Sequence, residues 1–180
     1  MPWGLDSSLP LGPLRSFLEN PEGSFRLHGL KGSSPAFLVS QVAGTFPFCL
    51  LIVTGSEEKA QRWAKELRFF APPARPPILY PMEESEPYGK LSASVENLGH
   101  RWNVRHQLLS DPKPALIVAS LPALLRRVPP RNIHRLESIS IALEKEMPQE
   151  TWVPRLPQMG YCRVGLVHEV GEFALRGHVA

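Results

Sequence analysis

Phe48-Cys49-Leu50-Leu51-Ile52-Val53-Thr54 is a continuous apolar run of strand length, and Ser56-Glu57-Glu58-Lys59 follows it after a single glycine. A run without polar alternation suits a strand covered on both faces, as in a parallel sheet. Ser56 stands where a helix N-cap belongs, with two acids behind it in the first turn. Ala60, Trp63, Ala64 and Leu67 then recur at three- and four-residue spacing, which predicts an amphipathic helix over 56–70.

Working outward, Pro77–Tyr80 is a brief strand and Pro114–Ser120 (PALIVAS) a second apolar run of strand length. Between them a helix is predicted over 93–109, with Val95, Leu98, Trp102 and Leu109 on one stripe and Glu96, Arg101 and Arg105 on its wet side. Leu121–Arg127 is a short helix stopped by Pro129-Pro130. Upstream lie a short helix over 11–18, a possible strand over 25–28, and a helix over 35–43 whose Pro35 is tolerated only in the first turn. The order strand, helix, strand, helix, strand predicts an α/β fold: a parallel sheet flanked by helices, with right-handed crossovers and with FCLLIVT and PALIVAS as central strands. After 130 the texture changes. Leu136–Leu143 alternates apolar and polar residues, a helix is expected near 149–159 and a strand at 161–168. This reads as a partial α+β second domain, so the expected domains are 1–126 and 127–180.

The 180 residues are long enough to bury a core, and a net charge of +3 does not by itself imply nucleic acid. The 20 prolines cluster at 72–81 and 129–130 and mark connections. The two cysteines, Cys49 and Cys162, show no zinc spacing, and Cys49 inside its apolar run reads as a buried free thiol. No apolar stretch is long enough to span a bilayer, and the first residues do not resemble a signal peptide, so a cytoplasmic protein is expected. No membrane partner, metal or cofactor is expected.

Four segments are candidates for function. Gly29-Leu30-Lys31-Gly32-Ser33-Ser34-Pro35-Ala36 sits before a helix, where a phosphate-binding loop GxxxxGK[ST] belongs. In that register Ser34 replaces the second glycine, Pro35 the lysine and Ala36 the magnesium-binding hydroxyl. The lysine that reaches the β- and γ-phosphates is missing, and Pro35 has no N–H to offer. The segment is either a generic turn or a degenerate phosphate loop. Glu83-Glu84-Ser85-Glu86-Pro87-Tyr88-Gly89 is acidic without a neighbouring histidine or aspartate, which suits a solvated loop, and Ile117–Ser120 ends without the acid that an NTPase strand would carry. No catalytic residue is expected. Arg126, Arg127, Arg131, His134 and Arg135 form a basic stretch without interleaved aromatics, closer to a solvated face than to a single-strand groove. In Gly171-Glu172-Phe173-Ala174-Leu175-Arg176-Gly177, either Arg176 faces outward beside Phe173 to fork onto a partner carboxylate, or it pairs internally with Glu172 or Glu169.

Taken in order, these segments resemble the family of bacterial transcription-repair coupling factors (Mfd). GEFALRG at 171–177 is similar to the family's GEFAxRGG. Pro87-Tyr88, Leu91-Ser92, Val95-Glu96 and Arg101 are similar to LPYDxxSPxxEixxeRl, Leu124–Pro130 to LLQRlPP, Glu66–Phe70 to DLRFF, and Gly160-Tyr161 with Val164 and Val167 to LGYxRVdxVeepGEF. Departures are Glu83 and Gly89, where an aromatic and an acid are common, and His178-Val179-Ala180 in place of the family's continuation.

The resemblance implies that 1–126 corresponds to UvrB-like domain 1a, its phosphate loop a vestige comprising Gly29, Gly32, Ser33, Ser34, Pro35 and Ala36. It implies that 127–180 begins the domain that binds the excinuclease component UvrA, with Arg176, Phe173, Glu172 and Arg163 as partner-binding residues. It implies a chain without ATPase activity, whose longer parent is an ATP-dependent DNA translocase reaching DNA and RNA polymerase through other regions. The alternatives are a drifted P-loop nucleotide-binding enzyme and a free-standing DNA-binding domain.

Overall fold

The computed structural model describes residues 12–83, 94–110, 113–136, 138–139, 141 and 146–176, and the chain divides into two compact units, 1–82 with 110–126 and 83–109 with 127–180.

The first unit begins with α1 (Gly12–Glu19), whose Leu14 is buried with Leu38 and Val42. Residues 21–30 carry no strand, and Phe25 and Leu27 are exposed, so the strand expected at 25–28 does not form. A short apolar run cannot hold a strand without a neighbour to accept its backbone bonds. α2 (Ser34–Thr45) starts with Pro35 in its first turn and buries Ala36, Leu38, Val42 and Ala43. β1 (Leu50–Thr54) follows, then α3 (Glu57–Phe70), capped by Ser56, whose hydroxyl accepts from the Lys59 N–H at 3.4 Å. Its buried positions, Ala60, Ala64 and Leu67, are those of the expected stripe. β2 (Pro77–Tyr80) completes this stretch.

After α4 (Val95–Ser110), which lies in the second unit apart from its last residue, come β3 (Leu116–Ser120) and α5 (Leu121–Leu125). The three strands form a parallel sheet in the order β1-β3-β2, with Ile52 opposite Val118 and Leu79 opposite Val118 on the other side. PALIVAS is therefore central and FCLLIVT lies at an edge. Leu50 and Ile52 pack with Ala36, Ala43, Ala64, Leu67 and Val118, whereas Leu51 and Val53 on the opposite face are about half exposed. An unbroken apolar run shows that both faces avoid charge. Strand order depends on which segments pair, and that is not written in the run.

In the second unit α4 buries Arg101 (2 % exposed) and Val104, while Val95 is exposed. Arg101 thus does not lie on the expected wet side. A guanidinium enters an interior when its N–H groups are satisfied there, a condition that residue spacing does not reveal. Arg105 lies over the Trp102 ring at 4.6 Å. α6 (Arg131–Leu136) takes in the first residue of the segment 136–143, of which residues 137, 140, 142 and 143 fall outside the described residues. The helix expected at 149–159 is broken into α7 (Gln149–Trp152) and two 3₁₀ turns, Val153–Arg155 and Pro157–Met159, because Pro154 and Pro157 interrupt the backbone ladder. β4 (Cys162–Arg163) is the remnant of the strand expected at 161–168 and pairs in parallel with β5 (Glu172–Phe173).

Candidate functional site

The loop before α2 is closed on itself. Gly29 and Gly32 adopt positive φ, the Lys31 N–H donates to Ser34 Oγ at 2.9 Å, and that hydroxyl donates back to the Lys31 carbonyl at 2.8 Å. Ser33 is the N-cap but makes no side-chain cap bond, Pro35 has no N–H, and Ala36 is fully buried. The Lys31 N–H and the Ser34 hydroxyl are thus spent on the loop itself, while the Lys31 side chain is exposed. At the carboxyl end of β3, Ser120 is fully buried; its hydroxyl donates to Glu57 Oε2 at 2.8 Å and accepts from the Ala123 N–H at 3.4 Å. This strand end is therefore occupied by a structural link between α3 and α5.

A site that residue spacing did not reveal lies in the same unit. Arg75, inside the proline-rich connection, is 8 % exposed. Its Nη1 donates to the carbonyls of Ala43 (2.7 Å) and Phe46 (3.0 Å), and its Nη2 to those of Phe48 and Ala115 (3.0 Å to Ala115). One guanidinium thus gathers the end of α2 and the approaches to β1 and β3. Burial pushes its pKa below the usual guanidinium value, with the nearby Cys49 acting in the other direction. The only signal in the sequence was a lone arginine among prolines. Cys49 itself is free but exposed, so the expected buried thiol is corrected: it precedes β1, and its Sγ accepts from the Ala115 N–H at 3.5 Å. Among the described residues no group of three or more histidines, cysteines or acids is placed to hold a metal ion.

Of the acidic segment only Glu83 is described, and Glu84–Gly89 lie outside the described residues, as do Leu91, Ser92 and Gly177–Ala180. Arg127 and Arg131 are exposed and Arg126 is half-buried, with no aromatic among them.

The GEFALRG segment lies in the second unit. Gly171 has φ +92, a left-handed turn that a side chain rarely adopts, and its backbone approaches Val95 of α4. Glu172 Oε2 accepts from the backbone N–H groups of His168 (2.8 Å) and Glu169 (3.1 Å). Those two bonds hold the carboxylate below the usual glutamate range, the His168 bond first. They favour the ionised form, so they persist above the ordinary carboxylate pKa and are lost as pH falls through the lowered one. Phe173 is 8 % exposed and does not flank Arg176 as a free aromatic face. It lines a cavity of about 870 Å³ with Trp102, His106, Trp152, Leu156 and Tyr161. Arg176 is exposed and donates from Nη2 to the Gly165 carbonyl at 3.3 Å, not to Glu172 or Glu169. Arg163 is exposed in β4.

No family model matches the chain. Curated relatives do. A transcription-repair-coupling factor of Myxococcus xanthus is 29 % identical over 157 residues, covering 84 % of this chain and 13 % of that protein. One from Mycobacterium bovis is 31 % identical over 136 residues (72 % and 11 %), and one from Bacillus subtilis 27 % identical over 153 residues (85 % and 13 %). The chain is a relative of the transcription-repair-coupling factors, in their amino-terminal region. It spans between 11 % and 13 % of the length of these three proteins. The name of these coupling factors joins transcription to repair. Among the described residues no helix is long and apolar enough to cross a membrane.

Proposed function

We propose that this chain is the docking part of a transcription-repair-coupling factor: it binds the excinuclease component UvrA, and neither binds nor hydrolyses nucleotide itself. In this reading residues 1–126 form the UvrB-like domain and 127–180 begin the partner-binding domain. ATP-driven translocation on DNA and contact with RNA polymerase belong to regions of a longer protein that this chain does not span.

The observation that carries the docking reading is Arg176. It is exposed, and among the described residues its guanidinium makes one hydrogen bond, to Gly165, out of five available N–H donors. The rest of the fork is open to a partner carboxylate, and Arg163 offers a second exposed guanidinium in the same unit. The closed loop around Ser34, with Pro35 and Ala36 behind it, supports the absence of nucleotide chemistry.

Two measurements test this. Replacing one partner of a desolvated charge pair typically costs about 2–5 kcal/mol of binding, because the opposing charge is left unpaired. Arg176→Ala should therefore weaken the complex with UvrA by tens-fold or more, while the melting temperature stays near that of the wild type. Unchanged affinity in calorimetry would sink the assignment. For nucleotide, titration with magnesium-ATP should give no heat, and micromolar binding would overturn that half of the proposal.

A further inference from the structure

The parallel sheet of the first unit ends on two strands of unlike character, β1 on one side and β2 on the other. β2 contains Pro77 and is bracketed by Pro76 and Pro81. Proline cannot donate to a ladder, and it blunts an edge against further pairing. β1 carries no such guard. From Phe48 to Ser56 there is neither a proline nor a charged residue. Leu50 donates its N–H to the Ala115 carbonyl at 2.8 Å, on the β3 side. Successive residues of a strand direct their backbone groups to opposite sides, so Leu51 and Val53 direct theirs away from β3. Among the described residues no backbone bond from outside the sheet reaches either of them. The side chains of the same two residues are half exposed, on the face opposite α2 and α3.

We propose that β1 is a self-pairing edge, through which two copies of this chain join antiparallel about a two-fold axis. Leu51 then stands opposite the partner's Val53, and Ile52 faces its own counterpart. This register fits the backbone, because the residues that present free N–H and carbonyl groups are the ones that meet and exchange both bonds. It also sets each Leu51 side chain beside the partner's Val53 on one face, as a cross-strand apolar pair. Charge selects the occupant. A two-fold contact brings a patch against itself, so any charge in it would meet a like charge, and this stretch has none. The proposal is independent of the docking reading above.

The test uses the full chain. Sedimentation velocity over a wide range of concentration reads association, and amide exchange reads the edge. The wild type should pass from monomer to dimer as concentration rises, with the Leu51 and Val53 amides gaining protection in step and the Ile52 amide, on the β3 side, protected throughout. Leu51→Lys, which sets like charges near each other across the axis, should weaken the dimer about tenfold or more. Val53→Pro should do the same, because it removes an outward donor that the β1–β3 ladder does not use. Leu125→Lys, at a more exposed leucine of the same unit, should leave association unchanged. Thermal melts show that each variant is folded, and the exchange data decide the matter in the wild type if one is not. A monomer at every concentration overturns the proposal. So do Leu51 and Val53 amides that are already protected in the monomer, since the chain itself would then cover the edge. Growth beyond a dimer overturns the two-fold pairing, and a dimer lost in Leu125→Lys but kept in Leu51→Lys overturns the assignment to β1.

Discussion

The two units are held together by different means. In the first, a three-stranded parallel sheet packs against α2 and α3 through Ala36, Ala43, Ala64, Leu67, Leu116 and Val118, residues from distant parts of the sequence with almost no exposed surface. In the second, the paired strands are two residues each, and Tyr161, Leu166, Val167 and Val170 remain exposed. A two-stranded ladder is marginal by itself. Order there comes from short-range polar links, such as Glu172 on its own turn, and from α4, where a Cβ on Gly99 would meet Val170 at 3.3 Å. Exposure of apolar side chains does not separate the units, since Phe69 and Leu125 of the first are as open as Leu166 and Val170 of the second; what separates them is the length of the strands and the depth of the core behind them.

The largest effect that would test this contrast is at Arg75. Arg75→Ala removes the donors of four backbone carbonyls, two of which belong to buried residues, Ala43 and Ala115. Each orphaned buried acceptor costs about 1–3 kcal/mol, so a loss of about 3–5 kcal/mol in a urea melt is expected. Arg75→Lys should recover little of it, because one ammonium cannot present two forks to four carbonyls. A loss below about 1 kcal/mol would mean that water or rearrangement satisfies those carbonyls and that the unit is not organised around this residue.

A matched pair sharpens the contrast next. Leu67→Ala, at a fully buried position of the first unit, should cost about 3 kcal/mol or more. Leu156→Ala, at 9 % exposure beside the cavity of the second, should cost about 2 kcal/mol, because the site can relax into space already present. Equal losses in denaturant unfolding would break the distinction between the two units.

The smallest effect is expected at Ser120. Ser120→Ala removes the cap of α5 and leaves Glu57 without its hydroxyl donor, for about 1–2 kcal/mol. Nucleotide affinity should not change in the same variant. A change there would show that the carboxyl end of the sheet is a ligand site and not the structural link seen between α3 and α5.

What the sequence determined by itself was local and periodic. Ser56 with Glu57 and Glu58 announced the start of α3, the stripe from Ala60 to Leu67 its buried face, and the apolar runs at 48–54 and 114–120 the parallel strands, because capping and side-chain period act over a few residues. The missing lysine and hydroxyl at Pro35 and Ala36 were equally visible, since a phosphate loop demands residue types at fixed spacing. Only the tertiary structure decided that β3 and not β1 is central, that Arg101 is buried and Arg75 binds four carbonyls, that Phe173 turns inward, and that Glu172 spends its carboxylate on its own turn while Arg176 reaches Gly165. Each of these depends on which distant or turning backbone groups come within hydrogen-bond reach, and a side chain's type states what it can bond to without stating what will be there.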